Sequence, residues 1–214
     1  MKPRPDYSWA ELMTVVIARD LRDGELGHAG GARNEIPVAA ILLAQKTHAP
    51  NLMFIPTHFG FNPNPLALQL SGPDYRHLRG VEAFGTFYDV FELGENGRMG
   101  FFCYNGMQID QYGNFNLHFI GDPKKPLVRG PGLVNPTWAS TASRFYLYPV
   151  EHTTRNMVEK VDYISAAGFL DGGDARERLG FKGGGSCLCV TPLCVFDFEP
   201  QSKRMRIKSI HEWV

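Results

Sequence analysis

Leu52-Met53-Phe54-Ile55 is an unbroken apolar tetrad closed on one side by Pro50-Asn51 and on the other by Pro56. A run this short between two breakers is too brief for a helix, and without alternation it offers water no face, so it reads as a strand buried on both sides. Strands of that kind belong to parallel sheets covered by helices. The preceding chain agrees. Ser8-Trp9-Ala10-Glu11 has the form of a capping box, and Leu12, Val15, Val16 and Leu21 recur at helical spacing. The spacing predicts an amphipathic helix over 9–21, ended by Asp23-Gly24. A short extended piece at 25–27 then enters a glycine-rich turn, His28-Ala29-Gly30-Gly31-Ala32. Asn34 is placed to cap a second helix reaching Lys46, apolar nearly all round and therefore buried.

Thr57-His58-Phe59-Gly60 sits where the buried strand gives way to a loop, and in open α/β sheets ligands bind at the carboxyl ends of strands. Residues 61–82, rich in Pro, Gly and Asn, read as a long excursion, a length of loop that is often functional. Further strand-like runs lie at 101–110, 115–120, 144–150, 193–198 (within an apolar stretch, 186–198, that reads as buried strand) and 205–210, with a turn at Gln111-Tyr112-Gly113-Asn114; 154–164 suits either loop or helix. The expectation is one α/β domain over 1–214: a mostly parallel sheet flanked by helices, with additional antiparallel strands toward the C-terminus.

Composition narrows the function classes. The 22 basic and 22 acidic side chains balance, which gives no electrostatic reason for a nucleic acid or anionic membrane partner. The longest apolar run, 36–44, is too short to span a bilayer, and no apolar segment behind the first residues suggests a signal peptide. The four cysteines do not form a disulfide framework for a chain of this size, so a cytoplasmic location is expected. Cys187, Cys189 and Cys194 lack metal-ligand spacing and read as buried strand, so no metal is expected. Dinucleotide, P-loop and serine-hydrolase motifs are absent, and Gly183-Gly184-Gly185 is best read as a turn before a strand. The residues by themselves lead to an α/β domain with a candidate site at His58.

An ordered set of segments carries the reading further. Gly106-Met107-Gln108-Ile109-Asp110-Gln111-Tyr112-Gly113-Asn114-Phe115-Asn116 resembles the Gln-Val-Asp-x-x-Gly-Asn-x-Asn signature of the β subunits of family I CoA-transferases. Around it lie Lys46-Thr47-His48-Ala49-Pro50-Asn51, Ile120-Gly121-Asp122, Val158-Glu159-Lys160-Val161-Asp162-Tyr163-Ile164, Gly172-Gly173-Asp174-Ala175-Arg176, Gly183-Gly184-Gly185 and Lys203-Arg204-Met205-Arg206. Taken in order, the set resembles the glutaconate branch of that family over almost the whole chain, and the family's tail is expected to continue past Val214. The resemblance implies a CoA-transferase-like fold, a homologous α subunit in an α2β2 heterotetramer, and an active site at the α/β interface. Coenzyme A is then part of the substrate, with no tightly bound cofactor. It also implies a catalytic glutamate that holds the acyl group as an anhydride and then carries CoA as a thioester.

This chain departs from that pattern. The family's Glu-Ser-Gly falls on His58-Phe59-Gly60, and the family's glycine loop that approaches the thioester is only partly kept in Arg129-Gly130-Pro131-Gly132-Leu133-Val134-Asn135-Pro136. Family members without the glutamate act on CoA thioesters in other ways, by decarboxylating methylglutaconyl-CoA on a side route to isovaleryl-CoA, or by opening a ring of a steroid-derived ester. A decarboxylating subunit is therefore the leading expectation. His58 serves as proton donor, and Gln108 and the Gly132 amide as donors to the thioester oxygen. Phe59, Gly60, Cys103 and Tyr104 are expected to line the substrate. The alternatives are CoA transfer through another carboxylate such as Glu35 or Glu82, hydrolysis with His58 activating water, and a non-catalytic partner subunit.

Overall fold

The capping box at the N-terminus forms. The Ser8 hydroxyl accepts from the Glu11 amide at 3.2 Å while the Ser8 amide donates to the Glu11 carboxylate at 2.7 Å, which starts α1 (Trp9–Asp20). The computed structural model describes residues 6–29, 33–57, 59–69, 74–132 and 138–212. After α1 come β1 (Leu26–Ala29), α2 (Glu35–Thr47), β2 (Met53–Ile55), β3 (Gly60–Phe61), β4 (Ala83–Phe84) and α3 (Phe87–Glu95). The middle of the chain holds β5 (Phe101–Tyr104), β6 (Gln108–Ile109), β7 (Phe115–Asn116), β8 (Phe119–Asp122), β9 (Lys125–Arg129), α4 (Trp138–Thr141) and β10 (Arg144–Leu147). A one-turn α5 (Ala175–Arg178) precedes β11 (Ser186–Val190), β12 (Cys194–Phe198) and β13 (Met205–Ile210).

Seven strands form one sheet in the order β13-β12-β11-β10-β5-β1-β2. From β11 to β2 every pairing is parallel; β12 and β13 join antiparallel. The apolar tetrad supplies β2 at one edge, paired with β1 through Leu26↔Met53 and His28↔Ile55. Alternation along β5 divides the interior. Phe101 and Cys103 pack in the layer of α1 and α2, whereas Phe102 and Tyr104 face the other side with Val90 of α3 and Trp138 of α4. Gly27 is required where it stands, since a Cβ there would enter the ring of Phe101.

The amino edge of the sheet is fastened by charge. Arg144, at the start of β10, makes two bonds to the Glu25 carboxylate, and its Nη2 also donates to the Asp20 carbonyl at 3.1 Å. The Tyr146 hydroxyl donates to Asp20 at 2.6 Å and accepts from Arg144 Nε at 3.0 Å. The network ties the end of α1 to two strands.

Some boundaries differ from the sequence expectations. His28 and Ala29 prolong β1 because β5 pairs with both and β2 with His28, while residues 30–32 of the expected turn lie outside the described residues. Asn34 precedes α2 without a side-chain capping bond. The run 101–110 breaks after Tyr104 and turns back as β6, and 115–120 divides into β7 and β8. The stretch 186–198 is two strands, and 154–164 is irregular chain.

Candidate active site

The five parallel strands share one carboxyl edge. At the end of β2, Pro56 stops the ladder and Thr57 follows with its hydroxyl buried and without a hydrogen-bond partner. His58 lies outside the described residues. Phe59 adopts φ +61°, reversing the chain into β3, with its amide donating to the Pro56 carbonyl at 3.1 Å. A Cβ on Gly60 would come within 2.7 Å of Val81 and Leu78, so its face is covered by the excursion that follows. Phe59 sits edge-on to Phe87 at 5.6 Å, Phe87 stacks on Phe91 at 4.0 Å, and Phe91 meets Trp138 at 4.7 Å. Trp138 continues to Phe102 and to His28, which gives an aromatic wall beside the strand end. His28 is buried there, bonded to the Ile55 backbone; its Nδ1 has no partner, and burial pushes the imidazole down to about 4.

The signature segment forms a hairpin, β6–β7, folded back beneath the end of β5. Asp110 accepts from the Tyr112 and Asn114 amides and from Asn114 Nδ2, all at 3.0–3.1 Å. Asn114 Oδ1 in turn accepts from the Gly168 and Leu170 amides at 2.9 Å. Gly113 takes φ +68°, and a Cβ on it would meet the Ser186 hydroxyl. Gln108 is committed as well: its Oε1 accepts from Asn116 Nδ2 (2.8 Å) and the Asp162 amide (3.1 Å), and its Nε2 donates to Asp162 at 3.2 Å. The amide expected to face a thioester oxygen thus clamps the hairpin to 158–165.

The partial glycine loop is stitched to the strand after β7. The Gly130 amide donates to the His118 carbonyl at 2.8 Å and the Gly132 amide to the Leu117 carbonyl at 2.9 Å. The Gly132 N–H expected to meet substrate is therefore occupied. A Cβ on Gly130 would collide with the Leu117 carbonyl, and Gly132 has φ +74°. Beside this loop stands His118, which the sequence pattern did not single out. Its Nδ1 lies 2.6 Å from the Ser165 hydroxyl, which accepts from the Leu117 amide at 2.7 Å, and its ring packs 4.9 Å from Tyr163. Its position two residues beyond Asn116 was the available signal.

Set against known proteins, residues 10–214 match the model of the Coenzyme A transferase family. The chain belongs to this family. It is 30% identical over 209 residues to the β subunit of the 3-oxoadipate CoA-transferase of Pseudomonas knackmussii, covering 97% of this chain and 79% of that one. The crystal structure of glutaconate coenzyme A-transferase from Acidaminococcus fermentans superimposes with a TM-score of 0.83 at 27% identity, over 94% of this chain and 78% of that chain. The decarboxylase AibA/AibB shares the fold, with a TM-score of 0.82 at 24% identity over 98% and 80%.

For a CoA-transferase fold the carboxylates near the carboxyl edge matter most. Residues 36–73, which include all of β2 and the turn after it, contain no Asp or Glu. Glu35, at the start of α2, gives Oε1 to Arg33 at 2.7 Å and buries Oε2 without a partner. Glu82 is exposed and holds Asn62 at 2.7 Å. Cys103 and Tyr104 do not come together, because alternation sends them to opposite faces of β5; burial pushes both the thiol and the phenol up. The amides of Gly183 and Gly184 donate to Ser140, Ala142 and Ser143 carbonyls, as a turn requires. Among the described residues no group of His, Cys, Asp and Glu is arranged to hold a metal, and no helix is long and apolar enough to cross a membrane.

Proposed function

We propose that this chain is the β subunit of an α/β complex that decarboxylates a glutaconyl-type acyl-CoA thioester, of the kind that takes 3-methylglutaconyl-CoA to 3,3-dimethylacrylyl-CoA. The observation that carries the reading is the absence of any carboxylate from 36–73, so the end of β2 has no group that forms an anhydride and then carries CoA. Decarboxylation needs none. The bond to the carboxylate carbon breaks, CO₂ leaves, and the electron pair delocalises through the double bond onto the thioester oxygen. The dienolate then takes one proton at carbon. His58 is the residue assigned to give that proton, and Phe59 with its neighbouring rings supplies apolar surface that favours loss of a charged carboxylate. Coenzyme A enters only as part of the substrate. The 3-oxoadipate CoA-transferase relative, itself one subunit of its enzyme, and the two-component AibA/AibB support a homologous α partner, and an α2β2 assembly is part of the proposal.

Glu35 favours a second reading, CoA transfer, because one oxygen of its carboxylate is buried and unpartnered at the same edge. Mass spectrometry of the co-expressed complex with 3-methylglutaconyl-CoA and acetate separates the two. Decarboxylation yields a CoA ester lighter by one CO₂ and no acetyl-CoA. Acetyl-CoA with free dicarboxylate, or a borohydride-trapped enzyme–CoA thioester, overturns the proposal in favour of transfer.

A further inference from the structure

Of the two donors expected to face the thioester oxygen, the Gly132 amide is spent on Leu117, and the Gln108 side chain is anchored by Asp162, which takes one of its two N–H groups, and by Asn116, which donates to its oxygen. A developing oxyanion needs another donor in that neighbourhood. We infer that His118 is that donor, its Nε2–H hydrogen-bonding the thioester oxygen; this rests on the reading that an acyl-CoA thioester binds at the carboxyl edge.

The arrangement of protons follows from the partners. Among the described residues His118 Nδ1, 2.6 Å away, is the one acceptor within reach of the Ser165 hydroxyl, whose oxygen takes the Leu117 amide, so the hydroxyl proton is directed at that nitrogen. A neutral ring then carries its proton on Nε2, and a protonated ring carries one there too. Nε2 is therefore a donor in either state, and it has no hydrogen-bond partner among the described residues. The ring is also fixed before any ligand arrives. The His118 amide donates to Asn116 Oδ1 at 3.0 Å, its carbonyl accepts from Gly130, and the tilted ring of Tyr163 packs 4.9 Å from its own. A fixed donor loses no orientation energy as charge develops, which is what oxyanion stabilisation requires. Gly132 places no side chain beside Nε2; a Cβ there would lie in van der Waals contact with that nitrogen, 3.7 Å away.

During decarboxylation the charge arriving on the thioester oxygen is met by this N–H, and the proton stays on nitrogen while carbon is protonated elsewhere. The test uses the co-expressed α/β complex. Glutaryl-CoA labelled with carbon-13 at the thioester carbon lacks the double bond and survives binding, so difference infrared spectroscopy reads the polarisation of its carbonyl. The wild-type complex should lower the carbonyl stretch. His118→Phe should abolish that lowering and reduce kcat by about 10²–10³-fold with KM little changed. His118→Gln, which returns an N–H near the same place, should recover part of both. Ser165→Ala should weaken the band shift by freeing the ring's tautomer.

An unchanged band and unchanged kcat in His118→Phe overturn the assignment. If that variant fails to assemble, His118→Gln and Ser165→Ala carry the same reading, and a wild-type band in both overturns it. A lost band in a complex that transfers CoA instead of releasing CO₂ keeps His118 and removes the decarboxylase reading; the opposite pattern keeps the decarboxylase and removes His118.

Discussion

A histidine closed between Phe102 and Trp138 has to fold without its proton. Burial holds His28 down at about 4, below its ordinary 6.5. Between those values the unfolded chain binds the proton that the folded chain refuses. The contribution of neutral His28 is therefore complete above pH 6.5 and is lost as the pH falls toward 4, by roughly 3 kcal/mol. Urea titrations at a series of pH values should give a stability that drops over this window, and His28→Phe should flatten it. Equal slopes in both proteins would show that the ring is not buried neutral. Single residues were only half legible in the sequence. The signature marked Gln108, Asp110, Asn114 and Asn116 as special, but not why, because the partners that define their work lie at Asp162, Gly168 and Leu170, far along the chain. His28 looked like a turn residue beside four small neighbours, and His118 offered only its place two residues beyond Asn116.

Elements were more legible where breakers and apolar runs agree. The tetrad before Pro56 became β2, and Ser8 with Glu11 began α1, since both depend on local chemistry. The run 101–110 misled because an apolar strand and a hairpin folded back on it share one hydrophobic pattern; only packing of Ile109 and Phe115 over the sheet separates them. The short α5 shows the same dependence on distant groups. Its Arg176 is buried, and the guanidinium donates to the carbonyls of Ala139, Ala167, Gly168 and Gly183. Burial brings this group down to about 10. Arg176→Met leaves those carbonyls unpaired, and the denaturation midpoint should fall by an amount equivalent to about 3 kcal/mol with the m-value unchanged. Arg176→Lys should rescue little, because an ammonium cannot span carbonyls on several loops. Full rescue by Lys would mean that charge, not the fork of donors, holds the loops together.

Across the whole molecule the sheet separates two duties. Phe59 follows the carboxyl end of β2 and the hairpin that leads to His118 follows the carboxyl end of β5, while the amino edge holds the Arg144, Glu25, Asp20 and Tyr146 network. The parallel order of β10, β5, β1 and β2 makes this division unavoidable, since every strand starts at one edge and ends at the other. Removing one member of the network should then cost stability without touching chemistry. Glu25→Ala leaves the guanidinium of Arg144 mostly buried without its main counter-charge, and should lower stability by about 3 kcal/mol. The double variant Glu25→Ala, Arg144→Met should lose less than the two single losses added together, because the orphaned charge is gone. Urea denaturation reads both quantities, and kcat measured per folded complex should stay at the wild-type level in each. A fall in kcat beyond the loss of folded protein would show that strain at the amino edge reaches the far ends of the strands, and that the two edges work as one unit.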